Sequence, residues 1–225
     1  MLGTLVNTAA VVAGSAVGLA AGTRLPGRIK IILMQALGLA VVVIGLRMAL
    51  EARHALLAIA CLLLGGVTGE LLRIEQRLEG LAEALRRKLH SDSSRFVEGF
   101  VTATLLYLTG AMTIVGSIRD GTVGDASVLL LKSLLDGVAS VALASSLGVG
   151  VMFSALPVLV VQGGITLLAA HLAFLSQPAV LDAVNATGGL LILGIGINLL
   201  EIGRIHVGNL LPALLYAIVG AVLFP

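Results

Sequence analysis

The sequence predicts an all-α polytopic membrane protein of about eight transmembrane helices, or seven if one short pair is re-entrant. Three observations predict it. The chain of 225 residues is 58% hydrophobic and only 12% charged, against about 45–50% and about 25% in soluble domains. Its mean hydropathy is +1.11. Its apolar residues fall into runs of the roughly 20 needed to cross a bilayer core at about 1.5 Å rise per residue. So little charge could not solvate the surface of a soluble fold, and disorder needs the opposite composition.

The first span is read over 4–22, followed by a basic loop over 23–30 with Pro26 as a breaker. The second runs over 31–50, and Glu51, Arg53 and His54 mark a short turn. The third covers 55–71. Composition then changes. Residues 72–97 carry Arg73, Arg77, Arg86, Arg87, Lys88 and Arg95 among Glu75, Glu79 and Glu83. Leu78, Leu81, Leu85 and Leu89 recur at helical spacing, which predicts an amphipathic helix over 76–90 outside the bilayer core. Ser91–Ser94 are expected to cap the next element. Further spans are read over 97–118, 126–147, 151–175, 186–201 and 207–224. The sixth is expected to be kinked or broken around 157–164, where Pro157 and Gly163-Gly164 interrupt it, and a turn is expected over 176–185.

Charge sets the orientation. One set of loops, including 23–30 and 72–97, holds ten of the 14 basic residues. Arg47, Arg53 and Arg119 lie on the other side. The positive-inside rule makes the richer side cytoplasmic. The start does not read as a secretory signal, because no positive charge precedes the first apolar run. A pI near 9.0 does not point to nucleic acid, since the loops account for the basic residues. Cys61 stands alone in an apolar run, and four scattered histidines make no zinc motif. No metal site and no cofactor is expected.

The run 36–50 can be laid on 187–201, matching Gly38 with Gly189 and Gly45 with Gly196. The second and seventh spans run in opposite directions, so this match suggests an inverted repeat of the kind transporters use. The 28 glycines suit close helix packing in lipid. Gly14, Gly18 and Gly22, like Gly65 and Gly69, form stripes assigned to packing.

Asp136 is the strongest chemical signal. A carboxylate at the middle of a span costs about 2.5–3.5 kcal/mol on insertion scales, and such groups usually face a bundle interior or a wet path. Lys132, one turn earlier on the same face, is its expected partner, although it could instead snorkel to the interface. Ser140 continues that face. Gln162 and Gly163 stand at mid-depth of the sixth span, where a broken helix would free backbone carbonyls for a solute. Thr109, Thr113 and Ser117 share a face of the fourth span and either line a path or bond another helix. Asn198 is the deepest of the minor polar candidates. No phosphate loop, zinc-protease motif or nucleophile elbow is present, and the protein is not expected to be an enzyme.

Gly110-Ala-Met-Thr-Ile-Val-Gly-Ser-Ile-Arg-Asp-Gly121, Gly124-Asp125 and Lys132-Ser-Leu-Leu-Asp-Gly137 resemble the uncharacterised bacterial YqgA/YdfK-type membrane family. So do Ala144–Ser154 with Gln162-Gly163, Gly194–Leu200 with Asn209–Ala213, and the opening Gly3–Asn7. The resemblance covers nearly the whole chain. It implies a multi-span inner-membrane protein but supplies no substrate. Asp136–Ser145 is also similar to the Asp-x-x-x-Ser segments of small manganese-efflux-type exporters.

The residues lead to a small inner-membrane transporter of an ion or small polar solute, with its site around Asp136. The alternative is a non-transporting membrane scaffold or regulatory subunit. There the Lys132–Asp136 pair is a structural lock, and the 76–90 helix binds a partner or anionic lipid. The expected surroundings are the lipid bilayer, an unidentified solute and, for so small a chain, a second copy. The Gly14/Gly18/Gly22 face or the 76–90 helix would join the homodimer.

Overall fold

The computed structural model describes residues 1–51, 55–91 and 93–223. Arg53, His54, Asp92 and Phe224, used above to mark turns and ends, lie outside the described residues. The described chain is helical and without strands: α1 (Leu2–Gly22), α2 (Gly27–Leu50), α3 (Ala55–Leu72), α4 (Ile74–Lys88), α5 (Phe96–Leu108), α6 (Ala111–Thr122), α7 (Ser127–Leu147), α8 (Gly150–Phe153), α9 (Ala155–Leu167), α10 (Pro178–Leu199), α11 (Val207–Leu210) and α12 (Pro212–Leu223).

Among the described residues six segments are long and apolar enough to cross a membrane, or seven if the bent pair α5–α6 is one span. The expected eighth, Val207–Leu223, is a shorter apolar helix, and a count of eight is not reached. Pro212 explains the local irregularity there, since it has no N–H to continue α11.

The broken helix falls elsewhere than the sequence reading placed it. The segment 157–164 is helical throughout within α9. Pro157 sits in the first turn of α9, where a missing N–H costs little, and the irregularity falls earlier, at Ser154. The break lies between α5 and α6, which meet at 63°. Gly110 is extended there, with φ −88° and ψ 143°. Thr113 Oγ1 donates to the Tyr107 carbonyl across the break at 3.0 Å, so backbone freed at depth is satisfied by the chain itself.

Other boundaries also move. The turn expected over 176–185 is instead the start of α10, with Pro178 in its first turn. The sixth span ends at Leu167, before a 3-10 turn at Ala173–Ser176. No side-chain cap opens α5, so the serines after α4 do not cap it. Arg73, at φ 52° and ψ 47°, turns the chain from α3 into α4, a left-handed conformation costly for any residue with a Cβ.

Packing follows the glycines. A Cβ on Gly14 would stand 2.2 Å from the Gly137 carbonyl oxygen, one on Gly18 2.4 Å from that of Val141, and one on Gly22 2.6 Å from that of Ser145. The contacts advance together along both chains, so α1 and α7 are parallel. The Gly14/Gly18/Gly22 face is therefore filled by α7 and is not a dimer interface. Between α2 and α10 the contacts run in opposite senses. A Cβ on Gly45 would lie 2.7 Å from the Gly189 oxygen, one on Gly189 2.8 Å from the Gly45 oxygen, and one on Gly196 3.2 Å from the Gly38 oxygen. The two glycine pairs matched by the sequence repeat thus face one another about a local two-fold. In α10, 13 of 22 residues are buried, against four of 24 in α2, so α10 lies centrally and α2 faces outward.

The connections after α1, α3, α7 and α10 gather at one end of the bundle. Gly22 meets Ser145, Gly38 meets Leu200, Gly150 meets Phe96, and Arg95 reaches Glu201. The ten basic residues counted above stand at this end. α4 packs Ala82 onto Phe96 and Phe100. Its start is fixed by Asn209, whose Oδ1 accepts from the Glu75 N–H at 2.8 Å.

Candidate functional site

Lys132 and Asp136 stand one turn apart on α7 and form a direct ion pair. They are 5% and 8% exposed, so Lys132 does not snorkel outward as the sequence reading allowed. α7 presents them inward because Leu130, Leu131, Leu134 and Leu135 are exposed on its outer side, which suits contact with lipid.

The second partner of Asp136 comes from α1. Asn7 Nδ2 donates to Asp136 Oδ2 at 3.0 Å and to Gln162 Oε1 of α9 at 3.0 Å. Gln162 Nε2 donates to Thr4 Oγ1 at 3.3 Å. Thr166 Oγ1 lies 3.1 Å from Thr4 Oγ1 and donates to the Gln162 carbonyl at 2.9 Å. The Thr166 proton is used there, so Thr4 donates to Thr166 and accepts from Gln162. Both neighbours of the Asn7 amide nitrogen are therefore acceptors, and a flipped Asn7 would set oxygen against oxygen. Asn7 Oδ1 is left buried with no hydrogen-bond partner. A lone buried acceptor beside a carboxylate is an arrangement that a cation would complete.

Ser140 lies one turn beyond Asp136, with its Oγ 2.7 Å from the Tyr107 hydroxyl. The Lys132 ammonium stands 5.8 Å from the Tyr107 ring centroid, within the range of cation–π attraction. Of the residues picked from sequence, Asp136, Lys132 and Gln162 are joined in one chain of bonds, and Ser140 flanks it through Tyr107.

The others are placed differently. Gly163 lies in unbroken helix, 3.7 Å from Thr4 Cγ2 by its would-be Cβ, and frees no carbonyl. Thr109 and Thr113 straddle the bend, so they do not share the face of one straight helix. Thr113 bridges the break, and Thr109 Oγ1 is buried without a partner. Asn198 is not deep: α10 ends at Leu199. Its amide brackets Ile205, donating to the carbonyl at 2.8 Å and accepting from the N–H at 2.7 Å, which closes the loop before α11. It borders an end cavity of about 490 Å³ lined by Glu75, Glu79, Glu98, Glu201 and Arg204. Those carboxylates are met by His206, Arg204 and Arg95.

Sequence reading missed Thr4, Tyr107 and Thr166, and counted Asn7 only among the minor polar groups, near the outer end of the first span. A signal for two of them was present. Asn7 falls on the face of α1 that carries Gly14 and Gly18, so it points at whatever those glycines touch. In addition, Thr4-Leu5-Val6-Asn7 parallels Ser133-Leu134-Leu135-Asp136 in residue type, on two helices that pack parallel.

Fold and site together define a multi-span helical membrane protein with a charged pair sealed in its interior. The chain belongs to the DUF554 family, described as a protein of unknown function, whose family model matches residues 2–222. It is 32% identical over 219 residues to "Uncharacterized membrane protein YdfK" of Bacillus subtilis (strain 168), covering 96% of this chain and 93% of that protein. It is 30% identical over 224 residues to "Uncharacterized protein YqgA" of Escherichia coli (strain K12), covering 96% and 94%. No solved structure matches.

Proposed function

We propose that the protein is an inner-membrane transporter of a small cation, with Asp136 as the carrier site and Lys132 as a built-in competitor for it. One observation carries this reading: a wholly buried ion pair joined to an amide and hydroxyl chain that crosses α1, α7 and α9. Ionisable groups held inside a span mark ion and proton routes.

The chemistry follows from the atoms present. With the ammonium on Asp136 the site is neutral and closed. An entering cation takes its place on the carboxylate and gains Asn7 Oδ1 as a second ligand. Lys132 loses a proton and withdraws, so one cation enters as one proton leaves and charge is conserved. The donors are a single carboxylate with amide and hydroxyl oxygens, and no group of three His, Cys, Asp or Glu residues that could hold a metal ion occurs among the described residues. Hard oxygen donors of low charge suit a monovalent alkali cation better than a soft transition metal. The reaction is transport and not catalysis. The basic end of the bundle, with 23–30 and 72–97, faces the cytoplasm.

Thermal unfolding of purified protein across a series of monovalent chlorides tests the reading. A cation at about 100 times its Kd stabilises by about 2.7 kcal/mol. This shift should appear in the wild type and vanish in a folded Asp136→Asn variant. No shift with any cation would reject the carrier site. The direct Lys132–Asp136 contact also favours a second reading, a neutral structural lock in a scaffold protein. That reading predicts that a matched apolar pair at the two positions leaves function intact.

A further inference from the structure

α4 buries Ala82 and packs Leu85 against the Phe96 and Phe100 cluster. It leaves a second apolar flank uncovered. Between that flank and α9 lies a groove of about 460 Å³, inside the range of about 300–1,000 Å³ for small-ligand clefts. Leu81, Ala84 and Leu85 form one wall, Leu156, Val160 and Val161 the other, with Phe100 also lining it and Lys88 at one end. The groove is almost purely apolar, and Lys88 is the one charged residue among those that line it. Arg86 and Arg87 of the same turn are engaged by Glu83, whereas Lys88 makes no ion pair among the described residues. The α9 wall belongs to the first two turns of that helix, beside the basic end of the bundle. An apolar trough at the start of a spanning helix, with a lysine at its edge, matches the boundary between headgroup and acyl chain.

We infer that this groove is a binding site for an anionic phospholipid. One acyl chain lies between α4 and α9, and the headgroup phosphate meets Lys88. The occupant is a lipid because the walls offer hydrocarbon only, and it is anionic because the one charged residue at the wall, Lys88, makes no ion pair among the described residues. The inference does not depend on the transport reading.

The chain contains no tryptophan, so a single one reports on a chosen place. Leu81→Trp, or Val160→Trp on the opposite wall should the first fail to fold, is reconstituted as full-length protein in phosphatidylcholine vesicles. Brominated phosphatidylglycerol or brominated phosphatidylcholine is then titrated as quencher. Half-quenching by the anionic lipid is expected at an about fivefold lower mole fraction, the effect of one lysine near an anionic surface. Lys88→Gln in the same background should erase the difference. Leu63→Trp, on the exposed outer face of α3, should show none. Equal quenching by the two lipids at Leu81→Trp, or a preference that survives Lys88→Gln, would overturn the assignment. So would a dimeric chain whose Leu81→Trp neither lipid reaches.

Discussion

The side-chain amide of Asn7 lies 3.0 Å from the carboxylate of Asp136, 129 residues away in the chain. The same nitrogen reaches Gln162, so one residue ties three helices at one depth. Asn7→Leu keeps the volume and removes the donor, leaving two buried oxygens short of a hydrogen. A loss of about 1–3 kcal/mol is expected, read by reversible unfolding in detergent. An unchanged midpoint would mean that water replaces the amide and that the site is wetter than the geometry indicates.

Lys132→Met strands a buried carboxylate and should cost about 3–5 kcal/mol, whereas Lys132→Met with Asp136→Leu should recover most of that stability. The carrier reading predicts that the double variant folds and does not transport. A double variant with full activity would favour the structural lock.

Glycine substitutions test the packing and the intact α9. Gly69→Ala would bring a Cβ to 1.8 Å from the Asn209 carbonyl oxygen. Backbone on backbone cannot yield cheaply, and the expected loss is about 1–3 kcal/mol. A Cβ on Gly164 meets nothing within 4 Å. In an unbroken helix Gly164→Ala should therefore stabilise by about 0.5–1 kcal/mol. Destabilisation by Gly164→Ala would restore the broken helix at 157–164. Thermal midpoints of the two variants, compared side by side, decide this.

One pH effect lies outside the spans. In the turn before α7, hydrogen bonds from Ser127 hold the Asp125 carboxyl below the usual carboxylate range, with the Arg119 guanidinium adding to the effect. A depressed folded pKa contributes stability above the unfolded value of about 3.9, and that contribution is lost as pH falls through the folded value. Asp125→Asn should therefore be less stable than wild type at neutral pH and equal to it in strong acid. A difference that persists in acid would assign the effect to something other than the charge.

Much of this was legible in the sequence. Composition identified the membrane class, and the depth of Asp136 with the spacing of Lys132 identified the pair. Both readings rest on burial costs large enough to dominate local detail. The break was misplaced because Pro157 and Gly163-Gly164 are strong signals only in a helix interior. Pro157 occupies a first turn, where its missing donor costs little. The bend was put at Gly110 by tertiary packing: Gly188 stands against the Thr109 carbonyl, its would-be Cβ 2.3 Å from that oxygen. The partners of Asp136 were hidden for a related reason. Asn7 and Gln162 meet only because α1 and α9 both pack near α7, and no local periodicity reports which helices become neighbours. Asn198 was overvalued because its helix was read as starting too late, at 186 instead of Pro178, and ending past Leu199.

Cation-driven proton movement across proteoliposomes tests the exchange most directly. Protein is reconstituted around a trapped pH dye, and sodium, potassium or lithium is added outside. The account predicts that at least one of these cations alkalinises the lumen in the wild type and does nothing with Asp136→Asn. With Lys132→Gln, cation uptake should continue without the pH change. A wild type that moves no protons with any of the three, or an Asp136→Asn variant that moves them as well as wild type, would contradict it.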